Sequence, residues 1–157
     1  SPLRAKAEEV EALRAEMAAS ALTFRFSALT EPEREKIRLE MGGRDEEALE
    51  YAQRAYQRAR NSTDIMDTYV VALLTKKDYA KAELLSRRAI QEKQFRNEPV
   101  TASFVFHLGQ ALAGQGRMEK AREQYDKALQ ILETRGEAVG ESQLKEKIEQ
   151  AMEKLDK

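Results

Sequence analysis

His107 is the single histidine of the chain, so a general base, a zinc ligand or a pH switch built on imidazole would each have to run through it. There is no cysteine, and a zinc site with one histidine would need carboxylates for its other ligands, an uncommon set for that ion. His107 therefore reads as a polar residue at the edge of a packed face. Gly109-x4-Gly114-x-Gly116 has the glycines of a phosphate-cradling loop, but Gln115-Gly116 follows the second glycine where Lys-Ser/Thr is required. The acidic pairs Glu8-Glu9 and Glu46-Glu47 have Arg or Lys three or four positions away. Neighbours on a helix diverge by about 100°, so these pairs are solvated faces with helix-stabilising ion pairs, not cation sites. No catalytic residue, no metal site and no cofactor is expected. Phe24 and Phe26 are the remaining oddity. Two residues apart on a helix, they point about 200° from each other, so one contacts a second neighbour or forms an outer contact with a partner.

The elements that position these residues are helical. The 157 residues are 41% hydrophobic and 35% charged, with 7 Gly and 3 Pro, a balance that excludes collagen-like, low-complexity and disulfide-scaffold classes. Lys plus Arg number 27 against 28 Asp plus Glu, a net charge of −1 with the signs interleaved, so no global field favours nucleic acid. No apolar run approaches the roughly 18–20 residues of a membrane span, and no membrane insertion is expected. The chain begins with Ser, not Met, and reads as a piece of a longer protein. Its compartment stays open, the cytoplasm being the default and export or an envelope location the alternative.

Leu3, Ala7, Val10, Met17, Ala21, Phe24 and Ala28 recur at helical spacing over 3–29. Thr30-Glu31-Pro32-Glu33 forms a capping box for a short helix to Met41, stopped by Gly42-Gly43. Asp45 opens a further helix, and Asn61-Ser62-Thr63-Asp64 breaks and recaps the chain. Helices over 64–76, 79–95, 100–114 and 118–134 follow, separated at Lys77-Asp78, Asn97-Glu98-Pro99 and Gly114-Gln115-Gly116. Leu144, Ile148, Met152 and Leu155 mark a last amphipathic helix. No alternating run bounded by hairpin residues suggests a strand.

Three of these helices share one spacing of residues: Ala48-x3-Ala52-x2-Ala55-Tyr56, Ala82-x3-Ser86-x2-Ala89-Ile90 and Ala121-x3-Tyr125-x2-Ala128-Leu129. The first two begin 34 residues apart and the next two 39, which places an insertion of five residues most simply at 97–101. A period of this size means stacked helical hairpins. Gly109 and Ala121 lack bulk where two antiparallel helices must approach, and Tyr125 fills the gap one turn on.

The third unit, Val105-x2-Leu108-Gly109-x2-Leu112 followed by Gly116, Ala121, Tyr125 and Ala128, resembles the tetratricopeptide repeat. The middle unit, Met66-x2-Tyr69-Val70-x2-Leu73 followed by Ala82 and Ala89, departs from it by placing Val70 where the family prefers Gly. The resemblance implies an all-α fold: an α-solenoid of antiparallel hairpins, about three units plus a C-terminal capping helix. As one repeat domain it divides into N-terminal helices with a degenerate repeat over 1–62, repeats over 63–96 and 102–135, and the capping helix over 141–157.

The family's inner-face pattern implies a concave groove lined by Asp64, Asp67, Val71, Thr75, Ser103, Phe106, Gln110 and Ala113, with Phe106 either an exposed anchor or packed between helices. Some members hold the carboxylate tail of heat-shock chaperones with Lys, Asn and Arg. The matching positions here carry Glu33, Ile37, Thr68, Ser103 and His107, so a chaperone tail is not the expected ligand. The implied function is a non-catalytic scaffold for a partner peptide or helix, whose identity the residues leave open. The alternative is a structural segment that packs against its own copies, through Phe24 and Phe26 or the last helix, as a homo-oligomer.

Overall fold

A computed structural model of the chain describes Pro2, Arg4 and residues 45–136 and 143–157. Apart from Arg4, the expected helices over 3–29 and 31–41, and with them Phe24 and Phe26, lie outside the described residues. Those residues form six helices: α1 (Asp45–Arg58), α2 (Thr63–Thr75), α3 (Tyr79–Phe95), α4 (Ala102–Gly114), α5 (Met118–Arg135) and α6 (Leu144–Leu155). No strand occurs among them. The helices expected over 64–76, 79–95, 100–114 and 118–134 agree with α2 to α5 to within two residues at each end.

The boundaries follow from local chemistry. Ser62 accepts a hydrogen bond from the Ile65 amide and caps α2, and Asp78 does the same for α3 through the Lys81 amide. Three helices close with one left-handed turn. Asp78 N–H reaches Leu73 O and Lys77 N–H reaches Leu74 O after α2; Glu98 and Asn97 reach Lys93 and Gln94 after α3; Arg117 and Gly116 reach Leu112 and Ala113 after α4. In each the pivot has positive φ, at Lys77 (62°), Asn97 (55°) and Gly116 (77°). Paired bonds of this kind satisfy carbonyls that a helix end leaves open. The reversals after α2 and α4 are short, so α2–α3 and α4–α5 are antiparallel hairpins.

Each helix packs on the next, and α4 also meets α2 and α6. One apolar cluster joins Ala52, Met66, Tyr69, Leu73 and Leu85 to Phe104 and Ala111 of α4. A second joins Phe106, Leu112, Tyr125 and Leu132 to Leu144 and Ile148 of α6, and Ile90 and Val100 lie against both. Every hairpin thus completes its core with its neighbour, the arrangement of a helical repeat array. The last helix lays the side bearing Leu144 and fully buried Ile148 on α4 and α5, and Arg122 pairs with Asp156.

The repeat register survives in burial. Ala82, Ser86 and Ala89 are buried in α3, as are Ala121, Tyr125 and Ala128 in α5. In α1, Ala52 is buried, Ala55 half-buried and Ala48 exposed. The longer second period is not a loop insertion alone. α3 has 17 residues against 14 in α1, so three of the five extra residues, Lys93 to Phe95, lengthen the helix, and the connection to α4 takes the other two.

The departure of the middle unit from the family pattern has a steric explanation. At Gly109 an added Cβ would lie 2.4 Å and 2.6 Å from ring atoms of Tyr125, so the aromatic ring occupies the space of a missing side chain. At the equivalent places of the middle unit stand Val70 and Ser86, both buried. Large and small have changed sides, and the crossing is filled either way.

Candidate partner-binding face

The implied groove residues sit on α2 and α4, the first helices of the two hairpins. Helical spacing turns Met66, Tyr69, Val70 and Leu73 into the core and leaves Asp64, Asp67, Val71 and Thr75 on the other side. Asp64 and Thr75 are exposed, and Asp67 and Val71 half-buried; on α4, Ser103, Gln110 and Ala113 are half-buried. The Thr68 and Thr75 hydroxyls donate to the carbonyls of Asp64 and Val71, so they are spent on their own helix. Thr101 Oγ1 and Ser103 Oγ lie 3.0 Å apart at the start of α4.

Phe106 takes the second of its two placements. It is 5% exposed, with its ring 5.6 Å from Tyr125 and 6.0 Å from His107, so it is packed between helices. The surface of α4 between Ser103 and Gln110 is consequently polar.

His107 and Asp67 are joined across α2 and α4. Nδ1 lies 2.7 Å from Asp67 Oδ1, and the two side chains are 15% and 21% exposed. An ionised carboxylate only accepts, so Nδ1–H is the donor. The bond ties together the first helices of adjacent hairpins, and it leaves Asp64 as the carboxylate on this face without a partner among the described residues. Glu46, one of the acidic neighbours, faces Lys76 at 3.3 Å; Glu8 and Glu9 lie outside the described residues.

A second polar junction lies outside the expected site residues. Glu83 of α3 accepts from Arg87 one turn on (2.8 Å), from Arg117 at the α4–α5 turn (2.8 Å) and from Gln115 Nε2 (2.8 Å). Burial alone would raise the Glu83 carboxyl, but the bonds from Gln115, Arg87 and Arg117 outweigh it and hold the pKa below its ordinary value. The same turn is seated by Tyr79, whose ring lies where a side chain on Gly114 would go. Repeat register gives no signal for it: the position equivalent to Glu83 in the next unit is Arg122, 39 residues on, and Arg117 belongs to the turn. At the third crossing the Tyr125 phenol is pushed up to about 12 by burial.

Residues 72–135, from the end of α2 through α5, match the family model described as Tetratricopeptide repeat. Over these residues the chain is similar to the tetratricopeptide repeat. The match covers the hairpin α4–α5 whole, with its Gly109–Tyr125 crossing, and all of α3. No curated protein and no solved structure matches the chain. Tetratricopeptide repeats are in general non-catalytic scaffolds for protein–protein interaction, so protein partners are the class this fold serves. No described helix is long and apolar enough to cross a membrane.

Proposed function

We propose that this tetratricopeptide-repeat chain is a non-catalytic scaffold that takes a partner peptide or helix on the face formed by α2 and α4. The observation that carries the reading is the strip of half-exposed and exposed side chains on these two helices, Asp64, Val71, Thr75, Gln110 and Ala113, in a fold whose stacked first helices make an extended binding surface. With Asp67 committed to His107 and Phe106 packed inside, the strip offers the Asp64 carboxylate, free of partners among the described residues, beside small apolar and amide groups. That composition suits a segment with Lys or Arg next to an aliphatic side chain that lies against Val71 and Ala113.

Photo-crosslinking side chains placed singly at Asp64, Gln110 and, as an outer control, Glu123 test the reading. Adducts with one partner protein from the first two positions and not from Glu123, lost when Asp64 is changed to Lys, are the expected result. Adducts from Glu123 alone, or a chain that light scattering shows as a concentration-dependent dimer through the α2–α4 face, would favour the structural, self-packing reading instead.

A further inference from the structure

The face of the array opposite the α2–α4 strip carries a second surface. Val105 and Leu108 lie about 200° and 140° around α4 from Ser103, and they form the floor of a cleft of about 480 Å³ between α3 and α5. Ile90 from α3 and Ile131 from α5 extend this floor. Its walls are amide and cationic. Gln91, Gln94 and Arg87 stand on the α3 side and Gln124, Lys127 and Gln130 on the α5 side. Among the described residues no carboxylate lines the cleft. Arg87 is bonded to Glu83, but that carboxylate is shared with Arg117, so the cluster keeps a net positive charge, and Lys127 is exposed and has no ion-pair partner among the described residues.

Along the rim on α3 run two of the large apolar side chains left in solvent. Leu84 is 73% and Phe95 87% exposed. They are eleven residues apart, which returns to the same side of a helix, with Gln91 between them. Phe95 and the cleft residue Gln94 belong to the three residues by which α3 exceeds α1, so the feature is absent from the regular repeat. Exposed side chains of this size aligned on one stripe beside an apolar floor mark an interaction surface.

We infer that the α3–α5 cleft is a second docking site, for an acidic amphipathic helix of a partner protein. The stripe from Leu84 to Phe95 is about 16 Å long, three helical turns. An incoming helix of that length would set aliphatic side chains on Val105, Leu108 and the Leu84–Phe95 rim, and its carboxylates would meet Lys127 and Arg87, with the glutamine amides free to donate. A basic segment would meet like charge and nothing to compensate it. This site and the α2–α4 strip thus prefer partners of opposite charge.

The probe is a fluorescent, alanine-based helical peptide with leucines along one stripe and Glu on both sides of it, compared with the same peptide carrying Lys for Glu. Anisotropy titrations use the full chain. The Glu peptide is expected to bind about tenfold or more tightly than the Lys peptide, with the difference shrinking as salt is added. Lys127→Glu, at an exposed position, should lower affinity for the Glu peptide by about fivefold or more while the melting temperature holds. Leu84→Ser with Phe95→Ser should weaken both peptides. Equal binding of the two peptides, binding of neither, or a Glu-peptide affinity that responds to Asp64→Lys and not to Lys127→Glu overturns the proposal. A dimer of the chain that dissociates on Phe95→Ser also overturns it, since the occupant would then be a second copy.

Discussion

The crossing of α4 and α5 can be tested by exchanging it for that of the middle unit. Gly109→Val alone sets branched carbon where a Cβ would already lie 2.4 Å from Tyr125 Cε1, against ordinary carbon contacts of about 3.5–4 Å. The Tyr125 ring is only 2% exposed and has nowhere to retreat, so the overpacking cost of about 1–3 kcal/mol applies near its upper end. The gain in helix propensity over glycine is a few tenths of a kcal/mol and does not offset it. Tyr125→Ser alone empties the space, at about 3–5 kcal/mol by comparison with other aromatic truncations. Together the two changes reproduce the Val70 and Ser86 arrangement: the clash disappears and valine fills part of the cavity. The double variant should therefore be no less stable than Tyr125→Ser, with a coupling of about 2 kcal/mol or more in its favour. Urea melts with unchanged slopes give the four stabilities. Gly116→Ala, strained at φ 77° with no atom near its added Cβ, serves as a control that costs about 1 kcal/mol and does not couple to Tyr125. Additivity of Gly109→Val and Tyr125→Ser to within about 0.5 kcal/mol would refute the exchange of large and small across the crossing.

Three further outcomes are expected. Lys77→Gly should stabilise the chain by about 0.5–1 kcal/mol in the same melts, because Lys77 has φ 62° and glycine lacks the left-handed penalty; a loss of stability would mean that the lysine side chain contributes something the turn geometry does not. Removing residues 143–157 should uncover Leu112, Tyr125 and Leu132, which share a cluster with Leu144 and Ile148, and produce aggregation or loss of a cooperative transition on size exclusion and thermal melting; a monomer with an unchanged melt would show that α6 is an appendage. Since the Tyr125 phenol is raised to about 12, the unfolded chain gives up that proton first, near pH 10, so stability should fall as pH rises from about 10 to 12, at no more than about 1.4 kcal/mol per pH unit, and Tyr125→Phe should flatten that window.

Most of the fold was legible because its helices are bounded by short-range chemistry. α3 begins and ends where the residues alone place it, since Asp78 as N-cap and Asn97 as left-handed stop act over four residues or fewer. The family likeness was readable for a similar reason: Ala82, Ala89, Ala121 and Ala128 must be small where helices cross, and the chain repeats that demand at a fixed period.

The face of each site was a different matter. On a helix, Phe106 and His107 differ by one position, and the spacing that brings one to the groove brings the other within reach of the next hairpin. The packing of α4 on α5 sends Phe106 to Tyr125, and the stagger between α2 and α4, which no local signal encodes, sends His107 to Asp67, 40 residues away. Glu83 reached Arg117 and Gln115 in the same way. The cleft between α3 and α5 depends on the extra turn of α3 and on how far apart two packed helices stand. The sequence determined where helices start, stop and approach; which side chains meet across them was decided only when the hairpins stacked, because those contacts depend on rotations and offsets between elements and not on the residues within any one of them.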